Sequence, residues 1–303
     1  MSAKVSVICI SYNHAPYIGE ALKSVFDQNY EDIELIILDD GSKDDSVEKI
    51  KNAIGDRDIQ AVFHLKNEGY TSTFNQGLAL SSGDYIIDFA LDDVMKPDFI
   101  QRSIELFESS SPNTGVVFSN ADYINDKSEV IGNHNEILFQ KGMISFIPTG
   151  NVFEWILKRY FICTPTMVIK REVFDRLGGY DESLAYEDFD FWVRSSRYWE
   201  YAYMDKVLMQ KRKLPDSMSS QRHRFRFNEQ MNSIFKVCEK AFQLCKTKEE
   251  FKALGIRLNY EYRQCLRLNA IELAKDYLRL MKLTQTRVSL KSKLFGLGKF
   301  LIN

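Results

Sequence analysis

The chain has 303 residues, of which 45% are hydrophobic and 27% charged, a composition typical of a soluble globular protein. Its five cysteines form no closely spaced pair, which argues against a disulfide framework or a zinc cluster and favours a reducing compartment. No apolar run approaches the roughly 20 residues that span a bilayer, and the first residues lack the pattern of a signal peptide. We therefore expect a cytoplasmic protein that is not embedded in a membrane.

Charge is distributed unevenly along the chain. Residues 220–303 hold 18 Lys and Arg against 7 Asp and Glu, whereas residues 1–219 hold 22 against 35. Such a division predicts two parts with different roles and an anionic partner for the basic part.

The first hundred residues alternate between short apolar runs and amphipathic stretches. The first run, VSVICI, is continuous and β-branched, as in a buried parallel strand. We predict strands over 5–10, 33–38, 59–65 and 83–91, and helices after Pro16, after Gly41, over 70–80 and over 97–108. Four βα units in succession predict an α/β fold with a mostly parallel sheet flanked by helices and right-handed crossovers.

The pattern is less regular after the fourth helix. The run GVVFSNADYI indicates further strands, and residues 125–150 are polar without a clear period, so we predict a mobile loop there. A strand, a short helix, a Gly-Gly turn and another helix follow. From about residue 222 the sequence is helix-like, and we predict a boundary between 215 and 222.

Three acidic pairs stand after predicted strands or at the start of a helix. They are Asp39-Asp40, Asp92-Asp93 and Glu187-Asp188. Ligands of open α/β sheets bind beyond the carboxyl ends of the strands. Adjacent carboxylates repel each other, so a metal ion, a ligand or simple solvation has to offset that cost.

Four stretches carry a resemblance to a known family. These are SVICISYNHAPYIGEALKSVFDQ, IILDDGSKDDS, NEGYTSTFNQGLALSSGDYI and GGYDESLAYEDFDFWVR. Their order and spacing resemble the inverting bacterial glycosyltransferases of family 2, over roughly residues 4–220. The resemblance implies the Rossmann-like GT-A fold. It also implies a catalytic domain over 1–219, with a nucleotide-sugar half (1–105) and an acceptor half (106–219), and a basic helical extension over 220–303.

The resemblance also implies an activity. Such an enzyme transfers a sugar from a nucleotide diphosphate donor, with UDP favoured and dTDP close behind, to an acceptor hydroxyl. The acceptor would be a saccharide or a lipid-linked saccharide, as in the synthesis of bacterial surface polysaccharides. The family uses a divalent cofactor, Mn²⁺ or Mg²⁺, which suits carboxylate ligands.

Residue roles follow from the same resemblance. Asp93 matches the metal ligand, Asp92 the contact to the ribose or sugar, Asp188 the general base, and Glu187 an acceptor-positioning residue. Residues matched to the nucleotide site are Ser11, Tyr12, Asp39, Asp40, Asn67, Gly69 and Asn75. A single base on the face opposite the leaving group implies inversion at the anomeric carbon.

The sequence departs from the family pattern at two places. Phe74 stands where relatives often have a basic residue, which weakens a phosphate contact there. Arg212 matches an arginine that is a candidate diphosphate contact, but Leu214 stands near the position of a family histidine. Lys211, Lys213 or His223 could supply the missing positive charge, and the sequence does not choose among them.

Structural alternatives exist for several of these residues. Asp92-Asp93 could be a solvated strand end, Asp188 a helix-start acid, and Tyr12 a core aromatic residue. Asp190 is interpreted as an acid on the helix surface. His14, His64 and His134 have no partner at metal-ligand or triad spacing and are interpreted as structural or exposed.

The last 17 residues combine cations with apolar side chains. Residues 287–303 carry Arg287, Lys291, Lys293 and Lys299 and no acid. They predict peripheral docking on the anionic inner leaflet, or alternatively a helical cap that packs on the catalytic domain. Nucleic acid is not an expected partner because no reading motif is present.

Two further function classes compete with sugar transfer. A nucleotidyltransferase would share an α/β fold and metal-bound carboxylates, but it would show a Gly-rich phosphate loop after the first strand, where this chain has SYNHAPY. A non-catalytic module that binds sugar nucleotides is the other class, and the presence of both Asp93 and Asp188 argues against it.

Overall fold

The computed structural model describes residues 3–185, 187–214 and 229–288, and they divide into two compact units. The first unit contains 3–150, 161–182 and 199–214. The second contains 151–160, 183–185, 187–198 and 229–288. The domain division expected from the sequence stays a prediction.

Four parallel strands form the first half of the sheet in unit one. They are β1 (Val5–Ser11), β2 (Ile33–Asp39), β3 (Gln60–Phe63) and β4 (Tyr85–Ala90), in the spatial order β3-β2-β1-β4. Strand β1 is buried along its whole length, which explains its uninterrupted apolar run. The parallel sheet expected from the alternating sequence is confirmed here.

Helices alternate with these strands. They are α1 (Ile18–Phe26), α2 (Ser46–Ile54), α3 (Tyr70–Leu80) and α4 (Phe99–Ser109). In α1 the buried side chains recur at helical spacing, as Ile18, Leu22 and Val25 do. Burial of such apolar stripes on the sheet is the main source of their stability, since isolated helices of nine to eleven residues are marginal in water.

The second half of the sheet is mixed. It contains β5 (Val94–Met95), β6 (Thr114–Ile124), β7 (Val130–Asn133), β8 (Val168–Lys170) and β9 (Glu200–Arg212). Strand β8 lies antiparallel between β4 and β6, while β9 runs parallel to β6 and antiparallel to β5. The full order is β3-β2-β1-β4-β8-β6-β9-β5, with β7 paired to β6. The α/β fold with helices on the sheet is confirmed.

Residues 125–150 differ from the predicted mobile loop. They include β7 and the helix α5 (His134–Gln140). Asn133 caps this helix by accepting hydrogen bonds from the backbone N–H groups of Asn135 and Glu136. Elements of four and seven residues are too short to show a period in the sequence, which is why the pattern missed them.

The remaining helices complete the two units. Helix α7 (Arg171–Leu177) belongs to unit one. Unit two contains α6 (Phe153–Lys158), α8 (Asp188–Ser195), α9 (Glu229–Leu244), α10 (Lys248–Arg267) and α11 (Ile271–Leu283). A complete capping box begins α10, in which Thr247 and Glu250 satisfy each other's backbone N–H groups. Within the described ranges, no helix is long and apolar enough to cross a bilayer.

Unit two contains buried ionic side chains. Asp190 is 1% exposed and accepts hydrogen bonds from Arg194 (2.6 Å) and Lys240 (2.7 Å). The interpretation of Asp190 as a surface acid is therefore wrong, because two cations compensate its burial. Arg257 is also buried, and its guanidinium carbon lies 3.9 Å from the ring centroid of Tyr160.

Candidate functional site

The carboxyl ends of the four parallel strands lie side by side at one edge of the sheet. Strand pairing sets Ser11 beside Asp39 and Ile10 beside Ala90. As a result, residues 64, 40, 12 and 92 follow the ends of β3, β2, β1 and β4 in spatial order. With neighbouring strands about 4.8 Å apart, the ends of β2 and β4 are separated by about 10 Å.

Ser11 and Tyr12 follow the end of β1. Tyr12 is 42% exposed, so it is not a core residue and its ring is accessible for stacking. The hydroxyl oxygen of Ser11 is buried and has no hydrogen-bond partner within the described residues. Buried polar atoms are nearly always hydrogen-bonded in native proteins, so this hydroxyl is suited to a ligand.

Asp39 stabilises the loop after β2. Its carboxylate accepts hydrogen bonds from the backbone N–H (2.9 Å) and the hydroxyl (2.6 Å) of Ser42. The Ser42 hydroxyl in turn accepts from the backbone N–H of Asn13, which has a positive φ of 56°. The loops after β1 and β2 are thus joined by a short polar network.

Asp40 is almost completely buried and accepts three hydrogen bonds. Oδ1 accepts from the backbone N–H of Glu68 (2.7 Å) and lies 3.2 Å from Nδ1 of His64, and Oδ2 accepts from the backbone N–H of Gly69 (3.1 Å). Two carboxylate oxygens offer about four acceptor positions, so one remains for a ligand.

His64 lies between Asp40 and Gln76, with its Nε2 atom 2.6 Å from Oε1 of Gln76. Burial lowers the pKa of His64, but the hydrogen bonds to Gln76 and Asp40 and the charge of Glu68 outweigh burial and leave the pKa raised. His64 therefore has a structural role, as the sequence indicated, and that role is to orient Asp40.

Gly41 allows the close approach of two loops, and Gly69 provides a positive φ. Gly41 has φ +73°, and a Cβ there would lie 2.4 Å from the backbone carbon of Lys66. Gly69, with φ +96°, precedes α3 and directs its N–H at Asp40. Asn67 is exposed on this loop.

Asn75 holds the Gly-Gly turn after α7. Its amide nitrogen donates to the carbonyl of Tyr180 and to Glu182, and its oxygen accepts from the N–H of Tyr180, each at 2.9 Å. The neighbouring Phe74 is fully buried against Phe174 and Tyr180, which explains why an apolar residue replaces a cation there. A nucleotide contact by Asn75 stays a prediction.

Asp92 and Asp93 follow β4 and have different environments. Asp93 is 4% exposed, whereas Asp92 is half-buried and its carboxylate makes no hydrogen bond or ion pair in the part of the chain that is described. Burial, together with the charge of Asp92, raises the pKa of Asp93 to about 8, although Lys211 and the backbone N–H of Arg212 oppose the shift. A cation bound to this pair would offset both the burial of Asp93 and the repulsion between the two carboxylates.

Arg212 is the last residue of β9 and is fully buried. Its backbone N–H donates to Oδ1 of Asp93 (2.7 Å), and Nε donates to the carbonyl of Asp92 (2.8 Å). The Nη atoms donate to the carbonyl of Asn125 and the hydroxyl of Ser128, and one of them pairs with Glu20 at 2.7 Å. The diphosphate contact expected of Arg212 stays a prediction, and it would require some of these bonds to be exchanged.

Two lysines flank Arg212. Burial and the charge of Lys211 lower the pKa of Lys213, and its ammonium lies 4.1 Å from the ring centroid of Tyr123. Both lysines interact electrostatically with Asp93. His223, the third alternative source of positive charge, lies outside the described residues.

The residues around Asp93 fit a hard divalent cation. In the described ranges no group of three or more His, Cys, Asp and Glu side chains could hold a metal, so the candidate ligands are the two carboxylates. Mg²⁺ and Mn²⁺ are commonly bound through one or two carboxylates, with phosphate oxygens and water at the other positions. Oδ2 of Asp93 accepts no hydrogen bond from the described residues and is available as a ligand.

Glu187 and Asp188 belong to unit two. Glu187 precedes α8 and Asp188 is its first residue, and both side chains are less than one-tenth exposed. Phe191 and Trp192, which lie about one helical turn after Asp188, are also buried. The catalytic roles of Glu187 and Asp188 stay predictions.

The sequence did not reveal three groups of polar contacts in unit one. These are His64 with Asp40, Glu20 with Arg212, and Asp88 with the hydroxyls of Tyr70 (2.6 Å) and Tyr180 (2.9 Å). A signal existed only for Asp88, which interrupts the apolar run of β4.

Comparison with known proteins gives a consistent result. The family model described as glycosyl transferase family 2 matches residues 6–178. An uncharacterized glycosyltransferase of Nostoc sp. is 38% identical over 110 residues, covering 35% of this chain and 34% of the relative. One of Rickettsia prowazekii is 30% identical over 215 residues, covering 70% and 64%. The chain therefore spans between about a third and two thirds of the length of these relatives.

Solved structures share the fold at low sequence identity. S. aureus TarS 1–349 in complex with UDP-GlcNAc has a TM-score of 0.67 at 14% identity, covering 89% of this chain and 81% of the other. The mannosyltransferase PcManGT from Pyrobaculum calidifontis, in complex with GDP-Man and Mn²⁺, has a TM-score of 0.64 at 16% identity, covering 99% and 81%.

Proposed function

The chain belongs to glycosyl transferase family 2, and on this premise we propose that it transfers a sugar from a nucleotide diphosphate donor to an acceptor hydroxyl with inversion. The observation that carries the proposal is the order of side chains along the sheet edge. An exposed aromatic ring, a buried carboxylate with one unused acceptor position and a carboxylate pair follow three adjacent strands.

The nucleotide would occupy the ends of β1 and β2. Tyr12 offers a face for the base, and the remaining acceptor position of Asp40 suits an imide N–H such as that of uracil. Ser11, Asp39, Asn67, Gly69 and Asn75 complete the proposed nucleotide site. A sugar-nucleotide donor is also supported by the two solved structures of the same fold, which hold UDP-GlcNAc and GDP-Man. This hydrogen bond to the imide N–H favours a UDP-sugar as the donor, with a dTDP-sugar close behind.

The diphosphate and its metal would lie near the end of β4. Asp93 would hold Mn²⁺ or Mg²⁺, and Asp92 would contact the ribose or the sugar. When bound, the cation supplies Lewis-acid neutralisation of the charge that develops on the leaving diphosphate. Lys211, Lys213 and Arg212 remain candidates for the additional positive charge, and the resemblance to PcManGT, solved with Mn²⁺, supports the choice of metal.

The general base is assigned to Asp188. A carboxylate that removes the proton from the acceptor hydroxyl as it attacks accelerates such steps by roughly 10²–10⁴-fold. Burial of Asp188 and of its aromatic neighbours in α8 supports the assignment, because desolvation raises the basicity of a carboxylate. Glu187 would position the acceptor.

The acceptor and the cellular location are part of the same proposal. We assign the acceptor to a saccharide or lipid-linked saccharide used in surface polysaccharide synthesis, and the protein to the cytoplasm with peripheral contact to the anionic inner leaflet through residues 287–303. Except for 287 and 288, that segment lies outside the described residues.

Donor choice can be tested directly. Purified protein is screened by thermal shift against UDP-, dTDP- and GDP-sugars with Mn²⁺, and slow release of the nucleoside diphosphate is then measured for the ligands that bind. We expect stabilisation and release with a UDP-sugar. Pyrophosphate release from a nucleoside triphosphate in place of UDP release would favour a nucleotidyltransferase, and binding without any release would favour a non-catalytic module.

A further inference from the structure

A groove in unit two lies between α10 and the end of α11. Its volume is about 580 Å³, and residues of both helices and of the turn 284–287 line it. No role in the proposed sugar transfer is assigned to any of these residues.

The groove is built by close contact between the turn and α10. Gly255 makes the contact possible, because a Cβ at this position would lie 2.3 Å from Oγ1 of Thr286. The side-chain amide of Asn259 donates to the carbonyl of Arg287 (3.2 Å) and to that of Gly255 (3.0 Å). The hydroxyls of Thr284 and Thr286 are hydrogen-bonded at 2.8 Å. The turn is therefore held in a defined position.

Among the described residues that line the groove, every charged side chain is a cation. Lys248 and Lys252 are exposed one helical turn apart on α10, and Arg287 is exposed on the turn. No carboxylate lines the groove, and none of the three cations has an ion-pair partner within the described residues. By contrast, Lys275 and Arg279 on α11 pair with acids three residues away.

Apolar side chains are exposed beside these cations. Ile256 continues the row of Lys248 and Lys252 along α10 and is 39% exposed, and Leu283 at the end of α11 is 65% exposed. Unpaired cations next to exposed aliphatic side chains fit an amphiphile that has an anionic head and an apolar body.

We propose that this groove docks on an anionic lipid surface, with Lys248, Lys252 and Arg287 at the headgroups and Leu283 at their boundary with the acyl chains. The chain that follows Arg287 supports this occupant, because residues 288–303 hold three further lysines, many apolar residues and no acid. The same charges argue against these residues as the occupant, since they would repel the groove. An acidic protein would not require the exposed leucine.

This inference adds a specific site to the proposed membrane contact, and it does not depend on sugar transfer. Vesicle binding is measured without donor or acceptor, so a failure of the transferase proposal leaves the result unaffected. Conversely, transfer to a soluble acceptor does not require the groove.

The test is flotation of the full-length protein with vesicles of phosphatidylcholine, with or without phosphatidylglycerol. We expect binding only when phosphatidylglycerol is present, and weaker binding at high salt. Each lysine near an anionic surface contributes about a fivefold gain in binding, so Lys248→Gln/Lys252→Gln should weaken binding about thirtyfold. Leu283→Ser should reduce the binding that persists at high salt.

A matched control removes two cations from the same unit. Lys275→Gln/Arg279→Gln changes the net charge equally but alters cations that already have acid partners, and it should retain most of the binding. Circular dichroism and thermal unfolding confirm that each variant is folded. Two results would overturn the proposal: wild-type protein that does not float with phosphatidylglycerol vesicles, or a groove variant that binds like wild type while Lys291→Gln/Lys293→Gln does not.

Discussion

The backbone N–H of Arg212 donates a hydrogen bond to Oδ1 of Asp93 at 2.7 Å, although 119 positions separate the two residues in the chain. The same arginine donates to the carbonyl of Asp92 and stacks on Tyr17, 4.4 Å from the ring centroid. One residue at the end of β9 thus determines the position of the acidic pair that follows β4.

Replacement of Arg212 tests the side-chain part of this relationship, since the backbone N–H that donates to Asp93 is kept. Arg212→Ala removes the donor to the carbonyl of Asp92, one of the donors to the carbonyl of Asn125 and the ion pair with Glu20, so we expect the free energy of unfolding to fall by about 2–4 kcal/mol in urea titrations. Arg212→Lys should lie between, because an ammonium cannot reproduce the planar donor set. Arg102→Ala, at a partly exposed position on α4, serves as the control and should change stability by less than about 0.5 kcal/mol. Equal unfolding midpoints for Arg212→Ala and wild type would contradict the assignment.

Metal binding at Asp93 should depend on pH. Its pKa is raised to about 8, so the metal-free protein loses stability as the pH rises from the usual range of an aspartate toward 8. Below that value a cation must displace a proton, which weakens its binding about tenfold per pH unit. We expect the rise in Tm on adding Mn²⁺ to be larger at pH 8 than at pH 6, and to vanish in Asp93→Asn.

The control for this experiment is Asp58→Asn, which alters an exposed carboxylate and should keep the full Mn²⁺ effect. A stabilisation by Mn²⁺ that persists in Asp93→Asn would place the metal elsewhere.

The His64–Asp40 pair should also give a pH-dependent stability. Because the pKa of His64 is raised in the folded state, its contribution is complete below the ordinary histidine range and is lost as the pH rises through the raised value. His64→Gln should therefore cost about 1 kcal/mol in urea unfolding at acidic pH and less at alkaline pH. Asp40→Asn should reduce this pH dependence, because Gln76 and Glu68 still raise the pKa of His64. A constant difference between His64→Gln and wild type across the range would show that His64 does not titrate.

Tyr12 gives a test of base stacking. A stacked aromatic ring contributes about 1–3 kcal/mol per base, so Tyr12→Ala should raise KM for the donor by about fivefold or more, with Tyr12→Phe close to wild type. Tyr198 has the same exposed fraction, 42%, and Tyr198→Ala is the matched control. An unchanged donor KM in Tyr12→Ala would remove Tyr12 from the nucleotide site.

Asp188 gives a test of the base. Asp188→Asn preserves the size of the side chain but cannot accept the proton, so acceptor-dependent kcat should fall by about 10²–10⁴-fold while donor binding by calorimetry is retained. Asp175→Asn, at an exposed position on α7, should leave both quantities unchanged. Transfer at the wild-type rate by Asp188→Asn would show that another group is the base.

The first half of the fold was predictable because its signals are local. A continuous apolar run such as residues 5–10 is buried on both faces of a parallel sheet, and the amphipathic stretch that follows has a helical period. The short elements after β6 were missed because a strand of four residues, such as β7, is too short to show a hydrophobic period and looks like a polar loop in the sequence.

The ends of the strands, and so the acidic residues that follow them, could be read from the sequence, because hydrophobic periodicity and polarity are properties of neighbouring residues. The partners of those acids come from distant parts of the chain and follow from the folded arrangement. Arg212 contacts Asp93, His64 contacts Asp40, and Lys240 of α9 contacts the buried Asp190, which was expected at the surface. Burial of a charge is affordable only where a partner from elsewhere in the chain is present, and no local pattern records which partner arrives.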